Sequence, residues 1–362
     1  MINQNAIDRY NQLVKKEWLL PILVSPFFQK KVDKEIAVLW HENGPLTRIV
    51  YPNDEKVDLI INGEYDDWVD DRSNMVASLD NRVIRKYKNR ILYMPTVFCA
   101  SNCQYCFRQD VLDEARAKKE EGTRILQDIK KIERYLEEDE SIEEVILSGW
   151  DPMMLPAKSL RDILEMIKKQ GKWVRIHTKI ISYNPALITK EKIAILKNAQ
   201  ARVVFHITHP YEICETVANK AREMWEEWIR LYNQFPLLRG INDHLLVLDM
   251  LLKKLDELSV RNLSIFIADP IKHSWAFRIR LARIIELINT LNWNSSSWVN
   301  STRFVLDSNI GKLRREDIIE YNPEDGYAIF RREWKTITYP DFPEAYDIPW
   351  DIKTLLWKWK EL

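Results

Sequence analysis

Short apolar segments alternate regularly with charged helical segments from residue 86 onward, and this rhythm constrains the fold more than any other feature of the chain. The apolar segments are ILYMPTVF, IEEVILSG, WVRIHTKII, ARVVFHIT, FPLLRGI and LSIFIAD. The helical segments lie near residues 121–138, 157–169, 189–198, 211–231, 243–256 and 276–291. Short strands that alternate with helices predict a parallel sheet with helical crossovers. We therefore predict an α/β fold, a partial (βα)6 barrel, with a flat doubly wound sheet as the alternative.

The chain divides into three predicted regions. Residues 1–85 form an N-terminal extension of helical and irregular segments, and its acidic, turn-rich part between residues 51 and 74 is expected to wrap a larger body. Residues 86–300 form the barrel, and residues 301–362 form a C-terminal extension. The active sites of such barrels lie on the loops that follow the strands. The cysteine-rich segment, SGWDP, HTK, HITHP, LRGIND and ADP all occupy such positions.

Composition excludes several classes of protein. The 54 Lys and Arg residues balance 54 Asp and Glu residues, which argues against nucleic-acid binding by bulk phosphate attraction and against a polybasic membrane anchor. No apolar run approaches the roughly 18 residues of a membrane span, and the first residues lack the pattern of a signal peptide. Four cysteines in so long a chain do not form a secreted disulfide framework. We expect a cytoplasmic protein without nucleic-acid or membrane partners.

Three of the four cysteines lie in one short segment, FCASNCQYCFRQD. Cys99, Cys103 and Cys106 have the spacing CxxxCxxC. Three thiolates on one loop can bind three irons of a [4Fe–4S] cluster and leave the fourth iron open. Structural zinc is the alternative, but zinc needs four ligands and Cys214 lies far away in the sequence. Three buried structural thiols are the remaining interpretation.

The cysteine spacing, directly after the first barrel strand, resembles the signature of radical S-adenosylmethionine (SAM) enzymes, in which the open iron binds SAM. Further segments resemble the lysine 2,3-aminomutase family: VILSGWDPMML is similar to LSGGDxLL, FHITHPYEI to HFNHPxEI, NQFPLLRGIND to NQSVLLRGVND, and FVLD to FVVDAPGG. The matches follow the family's order over about residues 80–312. The resemblance implies a radical SAM barrel with a [4Fe–4S] cluster, SAM and pyridoxal 5′-phosphate (PLP). It also implies transfer of an α-amino group to the β-carbon.

The resemblance assigns residues to PLP and to the substrate. Tyr87 and Arg90 match the pair that anchors the PLP phosphate, and Lys312 matches the lysine that links to PLP. Arg108, two residues after the third cysteine, matches the arginine that holds the substrate α-carboxylate. A guanidinium suits this role because it binds a carboxylate through two parallel hydrogen bonds.

Two aspartates match the pair with which the lysine branch of the family holds the distal ammonium of its substrate. They are Asp269 in IFIADP and Asp307 in RFVLD. Two carboxylates that face one pocket repel each other unless a cation lies between them. The resemblance therefore predicts a basic amino acid as substrate, lysine first and arginine second. The alternative is structural: Asp269 caps the following helix, and Asp307 begins a turn with Ser308 and Asn309.

The same resemblance assigns SAM contacts to Ser148, Gly149, Asp151, His206 and Gln234. The chain also departs from the family at four places. Trp150 replaces the second glycine of the SGGD segment, and Lys179 stands where the family generally has arginine. The loop before Lys312 is short and holds only Gly311, and Ala268 replaces a cysteine that binds zinc in bacterial free-lysine enzymes. Because the tail also has no cysteine, zinc is not expected.

These observations predict a radical SAM, PLP-dependent 2,3-aminomutase. An aminomutase acting on a lysine of a translation elongation factor is one alternative, because relatives of that kind share the zinc-free tail. A PLP-independent radical SAM enzyme is another, suggested by the short loop and by Trp150. A zinc-binding interaction protein is the alternative outside enzymes. The expected partners are a small-molecule amino acid and an external one-electron reductant of flavodoxin or ferredoxin type, and a homodimer is compatible with the resemblance.

Overall fold

The computed structural model describes residues 2–17, 19–58, 64–109, 129–299 and 302–357. Its main sheet has eight strands, in the same order as in the chain. They are β1 (Val83–Tyr87), β2 (Arg90–Tyr93), β3 (Glu144–Leu147), β4 (Trp173–Thr178), β5 (Arg202–Phe205), β6 (Arg230–Leu237), β7 (Arg261–Ile267) and β8 (Arg303–Val305). β1 and β2 are antiparallel, and every later neighbour is parallel.

Helices connect the parallel strands, as the alternating sequence pattern predicts. In the described ranges the helices are α1 (Gln4–Glu17), α2 (Pro26–Leu39), α3 (Pro45–Val50), α4 (Asp54–Asp58), α5 (Ile129–Glu138), α6 (Ala157–Lys169), α7 (Ile180–Tyr183), α8 (Lys190–Asn198), α9 (Glu215–Glu226), α10 (Leu245–Glu257), α11 (Leu281–Asn294) and α12 (Ile352–Leu355). A strand order that never reverses is that of a barrel, whereas a doubly wound sheet reverses at a switch point. The partial (βα)6 barrel is therefore confirmed, with β2 to β7 as its six strands.

The structure extends the predicted sheet at both ends. β1 forms a hairpin with β2 before the first parallel strand, and β8 adds a seventh parallel strand beyond residue 300. β8 is only three residues long, too short for a period-two pattern to reveal it. Within the described strands β1 and β8 are the two edges of the sheet. The barrel is consequently open on that side.

The helix predicted near residues 211–231 is shorter than expected. It ends at Glu226, and the next strand begins at Arg230. Trp228 has a left-handed backbone with a φ of 61°, which a continuing helix cannot contain. Burial then alternates residue by residue over Arg230–Leu237, the period of a strand with two different faces.

The outer face of each strand packs against helices. Val145 and Leu147 of β3 belong to one buried cluster with Leu160, Ile163 and Leu164 of α6. Burying each such side chain stabilises the fold by about 1.5–3 kcal/mol. Because neighbouring residues of a strand point to opposite faces, the remaining positions face the interior of the barrel. Packing on the outer face therefore holds in place the strands whose inner residues line the cavity.

The N-terminal region contacts the barrel through its backbone at Tyr65. Tyr65 pairs with the loop after β7: its N–H donates to Pro270 O over 2.8 Å, and its carbonyl accepts from Lys272 N over 3.1 Å. Residues 59–63 of the acidic stretch and part of the helix predicted near 121–138 lie outside the described residues.

The C-terminal region adds a second, antiparallel sheet of β9 (Ile318–Asn322), β10 (Tyr327–Arg332) and β11 (Lys335–Pro340). Across the part of the chain that the structure describes, no helix has both the length and the apolar character that a membrane crossing needs.

Candidate active site

One cavity of about 1390 Å³ lies inside the barrel. Every residue that the sequence predicts for the site lines it. They are Tyr87, Arg90, Cys99, Cys103, Cys106, Arg108, Ser148, Gly149, Asp151, His206, Gln234, Asp269, Asp307 and Lys312. Loops after the strands supply one part of the wall, and alternate residues along the strands supply the rest. The fold therefore gathers residues that are far apart in sequence around one space.

The loop after β2 carries the three cysteines to the cavity wall. The hydroxyl of Ser101 lies 3.4 Å from Cys99 Sγ and 3.3 Å from Cys103 Sγ, and Cys106 N–H donates to the Cys103 carbonyl over 3.0 Å. Burial raises the pKa of the Cys99 thiol to about 11 and that of Cys106 to about 12. Such thiols lose their protons when iron binds. Cys214 is at the start of α9 and does not line the cavity.

The donor set on this loop fits a [4Fe–4S] cluster, in which each thiolate binds a different iron. A structural zinc ion would instead need four ligands around one position. Three thiols lie on this loop, and Cys214 does not line the cavity, so the described cysteines match a three-cysteine cluster better than a four-cysteine zinc site.

The loop after β3 has a backbone that only glycine can adopt. Gly149 has a φ of 93°, and a Cβ at this position would lie 2.5 Å from Met94 Cγ. Asp151 fixes the end of the loop: its Oδ1 accepts from Thr178 Oγ1 over 2.7 Å and its Oδ2 accepts from Lys179 N over 3.0 Å. Because both carboxylate oxygens are already engaged, Asp151 acts on the cavity by positioning the loop.

Two histidines, His177 and His206, line the cavity. Burial lowers the pKa of His206 to about 3, so this ring is neutral at pH 7. Burial, together with Arg175 and Lys312, lowers the pKa of His177 well below its usual range. His177 Nδ1 lies 3.2 Å from Gln234 Nε2, and its Nε2 is buried without a partner. The sequence analysis did not single out His177, although it is two residues from Arg175 and shares its face of β4.

Arg108 is held by a residue that the sequence analysis missed. Its Nε donates to Asp71 Oδ2 over 2.5 Å, and both side chains are nearly buried. Burial lowers the pKa of the Arg108 guanidinium, but Asp71, with Cys106 and Asp307, raises it above its usual value. Within the described ranges Asp71 is the only polar partner recorded for the Arg108 side chain. The two terminal nitrogens thus remain free to bind a carboxylate.

The two predicted aspartates share one part of the cavity. Burial and the nearby Asp307 raise the pKa of Asp269 well above its usual range. Asp269 makes no hydrogen bond or ion pair with any side chain that the structure describes. Asp307 is partly compensated, because Lys86 Nζ lies 3.6 Å from its Oδ1 and Ser308 N donates to the same oxygen over 3.2 Å. A cation bound between Asp269 and Asp307 would compensate their negative charge.

The structural alternative for these aspartates is half correct. The next helical turn is preceded by Ser274, so Asp269 caps no helix. Asp307 directly precedes a turn and accepts from Ser308 N; in the turn Gly311 N–H donates to the Ser308 carbonyl over 3.0 Å, and Gly311 has a φ of 111°. Asp307 therefore both supports the turn and lines the cavity.

The short loop before Lys312 forms a hairpin-like turn. Leu306 and Leu313 close it with two backbone hydrogen bonds of 3.0 and 2.7 Å. Asp307 and Lys312 are the next residues inside this bridge, one on each side of the loop. Both line the cavity. Burial lowers the pKa of Lys312, and Arg175 and Arg90 lower it further, although Asp307 opposes them. Shortening the loop has thus not removed Lys312 from the cavity.

Basic side chains are concentrated where the strands begin. Arg175, Arg202 and Arg230 are aligned on the neighbouring strands β4, β5 and β6. Like charges at such positions destabilise a sheet unless an anion compensates them. Glu144 binds Arg175 at 2.9 Å, but Arg175 Nε remains buried without a partner.

The predicted phosphate pair lies beside this basic layer. The Arg90 guanidinium stacks 3.8 Å over the Tyr87 ring. The Tyr87 hydroxyl is buried and makes no hydrogen bond of good geometry. A dianionic phosphate matches both the excess positive charge and these unpartnered donors, so the residues present fit PLP.

Comparisons with known proteins agree with this geometry. The family model described as "Radical SAM superfamily" matches residues 93–248. An L-lysine 2,3-aminomutase of Buchnera aphidicola subsp. Baizongia pistaciae is 28% identical over 307 residues, covering 80% of this chain and 87% of that protein. The L-lysine 2,3-aminomutase of Acetoanaerobium sticklandii is 24% identical over 335 residues, 90% of this chain and 77% of its own length. That of Haemophilus influenzae is 28% identical over 221 residues, 60% of this chain and 64% of its own.

Proposed function

We propose that this chain, which belongs to the lysine 2,3-aminomutase family of radical SAM enzymes, is a PLP-dependent 2,3-aminomutase of basic amino acids. Lysine is the first proposed substrate and arginine the second. The observation that carries the proposal is a single cavity lined by the cysteine triplet, Arg108, the Asp269–Asp307 pair and Lys312.

The cofactors divide the chemistry between them. The cluster with SAM supplies abstraction of a hydrogen atom, and PLP supplies a π-system that stabilises an unpaired electron. The protein contributes binding, orientation and exclusion of water. We assign Cys99, Cys103 and Cys106 to the cluster. Beside them, Gly149 allows close approach of the backbone to SAM.

The PLP end of the cavity is assigned to Lys312 and the basic layer. The lowered pKa of Lys312 favours the neutral amine, the form that can attack a carbonyl carbon. Tyr87 and Arg90 are proposed to hold the phosphate, and we add Arg175 because its buried Nε lacks a partner. Cations at this end serve two purposes: they attract the phosphate, and they disfavour the protonated form of Lys312.

The substrate is proposed to lie between Arg108 and the two aspartates. Arg108 binds the α-carboxylate, and Asp71 holds the guanidinium in place. Asp269 and Asp307 bind the distal cation, whose arrival relieves the repulsion between the two carboxylates. An acidic side chain would add a third negative charge there, and a neutral one would leave the pair uncompensated.

Enzymes of this class act on small molecules and receive their electron from an external reductant. A flavodoxin- or ferredoxin-type reductant and a homodimeric assembly are part of the proposal, as is a location in the cytoplasm, where thiols stay reduced.

The proposal is tested by an anaerobic assay with SAM, PLP, dithionite and a panel of amino acids, read by mass spectrometry and NMR for β-amino products. We expect β-lysine as the main product, a smaller yield from arginine, and none from glutamate. Arg108→Lys is the informative variant, because it keeps the charge but loses the bidentate geometry. Preferred turnover of glutamate or alanine would refute the substrate assignment.

A further inference from the structure

Trp150 occupies a place where the resembling family has glycine. It follows Gly149, whose φ of 93° suits glycine and at which a Cβ would collide with Met94. The indole is only 5% exposed and belongs to a small apolar cluster that Cys99 and Cys106 border. Trp150 also lines the cavity, so its side chain stays within the site. Two of the three cluster cysteines therefore border the apolar cluster that contains the indole.

The indole N–H of Trp150 is buried and has no hydrogen-bond partner. Indole can only donate, and a buried donor without an acceptor destabilises the fold. Of its cluster, Leu20, Ile84 and Val97 offer no side-chain acceptor, and the thioether of Met94 is a weak one. The neighbouring Asp151 has both oxygens engaged by Thr178 and by backbone N–H groups. The sulfurs of Cys99 and Cys106, which border the cluster, become stronger acceptors when they bind iron as thiolates.

We infer that the Trp150 N–H donates a hydrogen bond to a sulfur atom of the [4Fe–4S] cluster, at the Cys99 or Cys106 thiolate, and thereby sets the reduction potential of the cluster. The inference rests on the cluster assigned in the proposed function. In this role Trp150 acts on the reaction through the potential of the cluster.

The physical reason lies in the charge of the cluster. One electron from the external reductant makes the cluster more negative by one unit, and no bond breaks in this step. A hydrogen bond to sulfur stabilises the more negative state more strongly, so it favours reduction. If the hydrogen bond is stronger by about 1.4 kcal/mol in the reduced than in the oxidised cluster, its removal changes the ratio of reduced to oxidised cluster about tenfold, which for one electron is about 59 mV.

The test is a redox titration of the reconstituted protein without SAM, PLP or substrate, followed by the EPR signal of the reduced cluster. Trp150→Phe keeps an aromatic ring and removes the donor, so its midpoint potential should fall by up to about 59 mV, the tenfold change above. Trp275→Phe is the matched control: Trp275 is 2% exposed, packs against Phe342 and does not line the cavity. The control should leave the potential unchanged.

A second measurement does not depend on a variant that folds. In wild-type protein with 15N-labelled indoles, pulsed EPR should detect one nitrogen and one exchangeable proton coupled to the reduced cluster. Absence of this coupling, or a Trp150→Phe potential equal to that of wild type, would overturn the inference. A Trp150→Phe protein that differs from wild type only in its affinity for SAM would also overturn the inference. Failure of the aminomutase assignment is distinguishable, because it would appear as missing β-amino product while the potential shift persists.

Discussion

Replacing Asp269 by Asn should separate stability from function. Asp269 is buried, lies near Asp307 and has no ion-pair partner within the described chain, which raises its pKa well above the usual range. In the unfolded chain its pKa is about 3.9. As pH rises above this value, the unfolded state loses the proton while the folded state keeps it, so stability falls until the folded pKa is passed. Asp269→Asn removes this loss, and the ligand-free variant should be more stable than wild type at neutral pH.

The same substitution should impair use of a basic substrate. One of two carboxylate contacts to the distal cation disappears, and a hydrogen bond to a charged group contributes about 1.5–3 kcal/mol. The expected loss in kcat/KM for lysine is therefore roughly 10- to 150-fold. Asp307→Asn is the matched variant, because Asp307 already binds Lys86 at 3.6 Å. It should lower activity as well, but without raising stability.

Thermal unfolding of ligand-free protein between about pH 4 and pH 8 measures the first effect. The advantage of Asp269→Asn over wild type should vanish near pH 4 and grow as pH rises. Anaerobic kinetics with lysine measure the second effect. The reasoning fails if Asp269→Asn is less stable than wild type at every pH, or if lysine kinetics do not change.

Further outcomes follow from the geometry of the site. Cys103→Ala should lose the cluster, measured as iron per chain after reconstitution, whereas Cys214→Ala should keep it; equal losses would contradict a three-cysteine cluster. Arg175→Gln should weaken PLP binding by roughly tenfold, since a charge-assisted contact to phosphate is lost, and an unchanged Kd in an absorbance titration would remove Arg175 from the phosphate site. Gly149→Ala should cost about 1–3 kcal/mol of unfolding free energy, because its φ of 93° disfavours a side chain; denaturant unfolding checks this.

Patterns within short stretches of sequence predicted the strands, the helices and the cysteine loop. The alternation of strands and helices predicted six parallel strands, and the cysteine spacing predicted a loop with three thiols on the cavity wall. The end of α9 and the start of β6 were misplaced because helical and strand patterns overlap in residues 227–231. The one parallel strand that was not predicted, β8, is too short to show a periodic pattern.

Residues that act through tertiary contact could not be predicted in this way. Asp71 supports Arg108 from the N-terminal region, and Lys86 compensates Asp307 across the barrel. Nothing in the sequence around Asp71 distinguishes it from the other acidic residues of its stretch. His177 is different, because its two-residue spacing from Arg175 on an inward-facing strand was a usable signal.

The most direct test of the central claim is borohydride trapping of PLP on the chain, with peptide mapping, in the absence and presence of amino acids. The account predicts a pyridoxyl label on Lys312 in the substrate-free protein. Saturating lysine should strongly reduce that label, because the substrate amine takes the place of Lys312, whereas glutamate should leave it intact. A label on another lysine, no label at all, or equal protection by glutamate and lysine would contradict the claim that this cavity joins a PLP lysine to a site for basic amino acids.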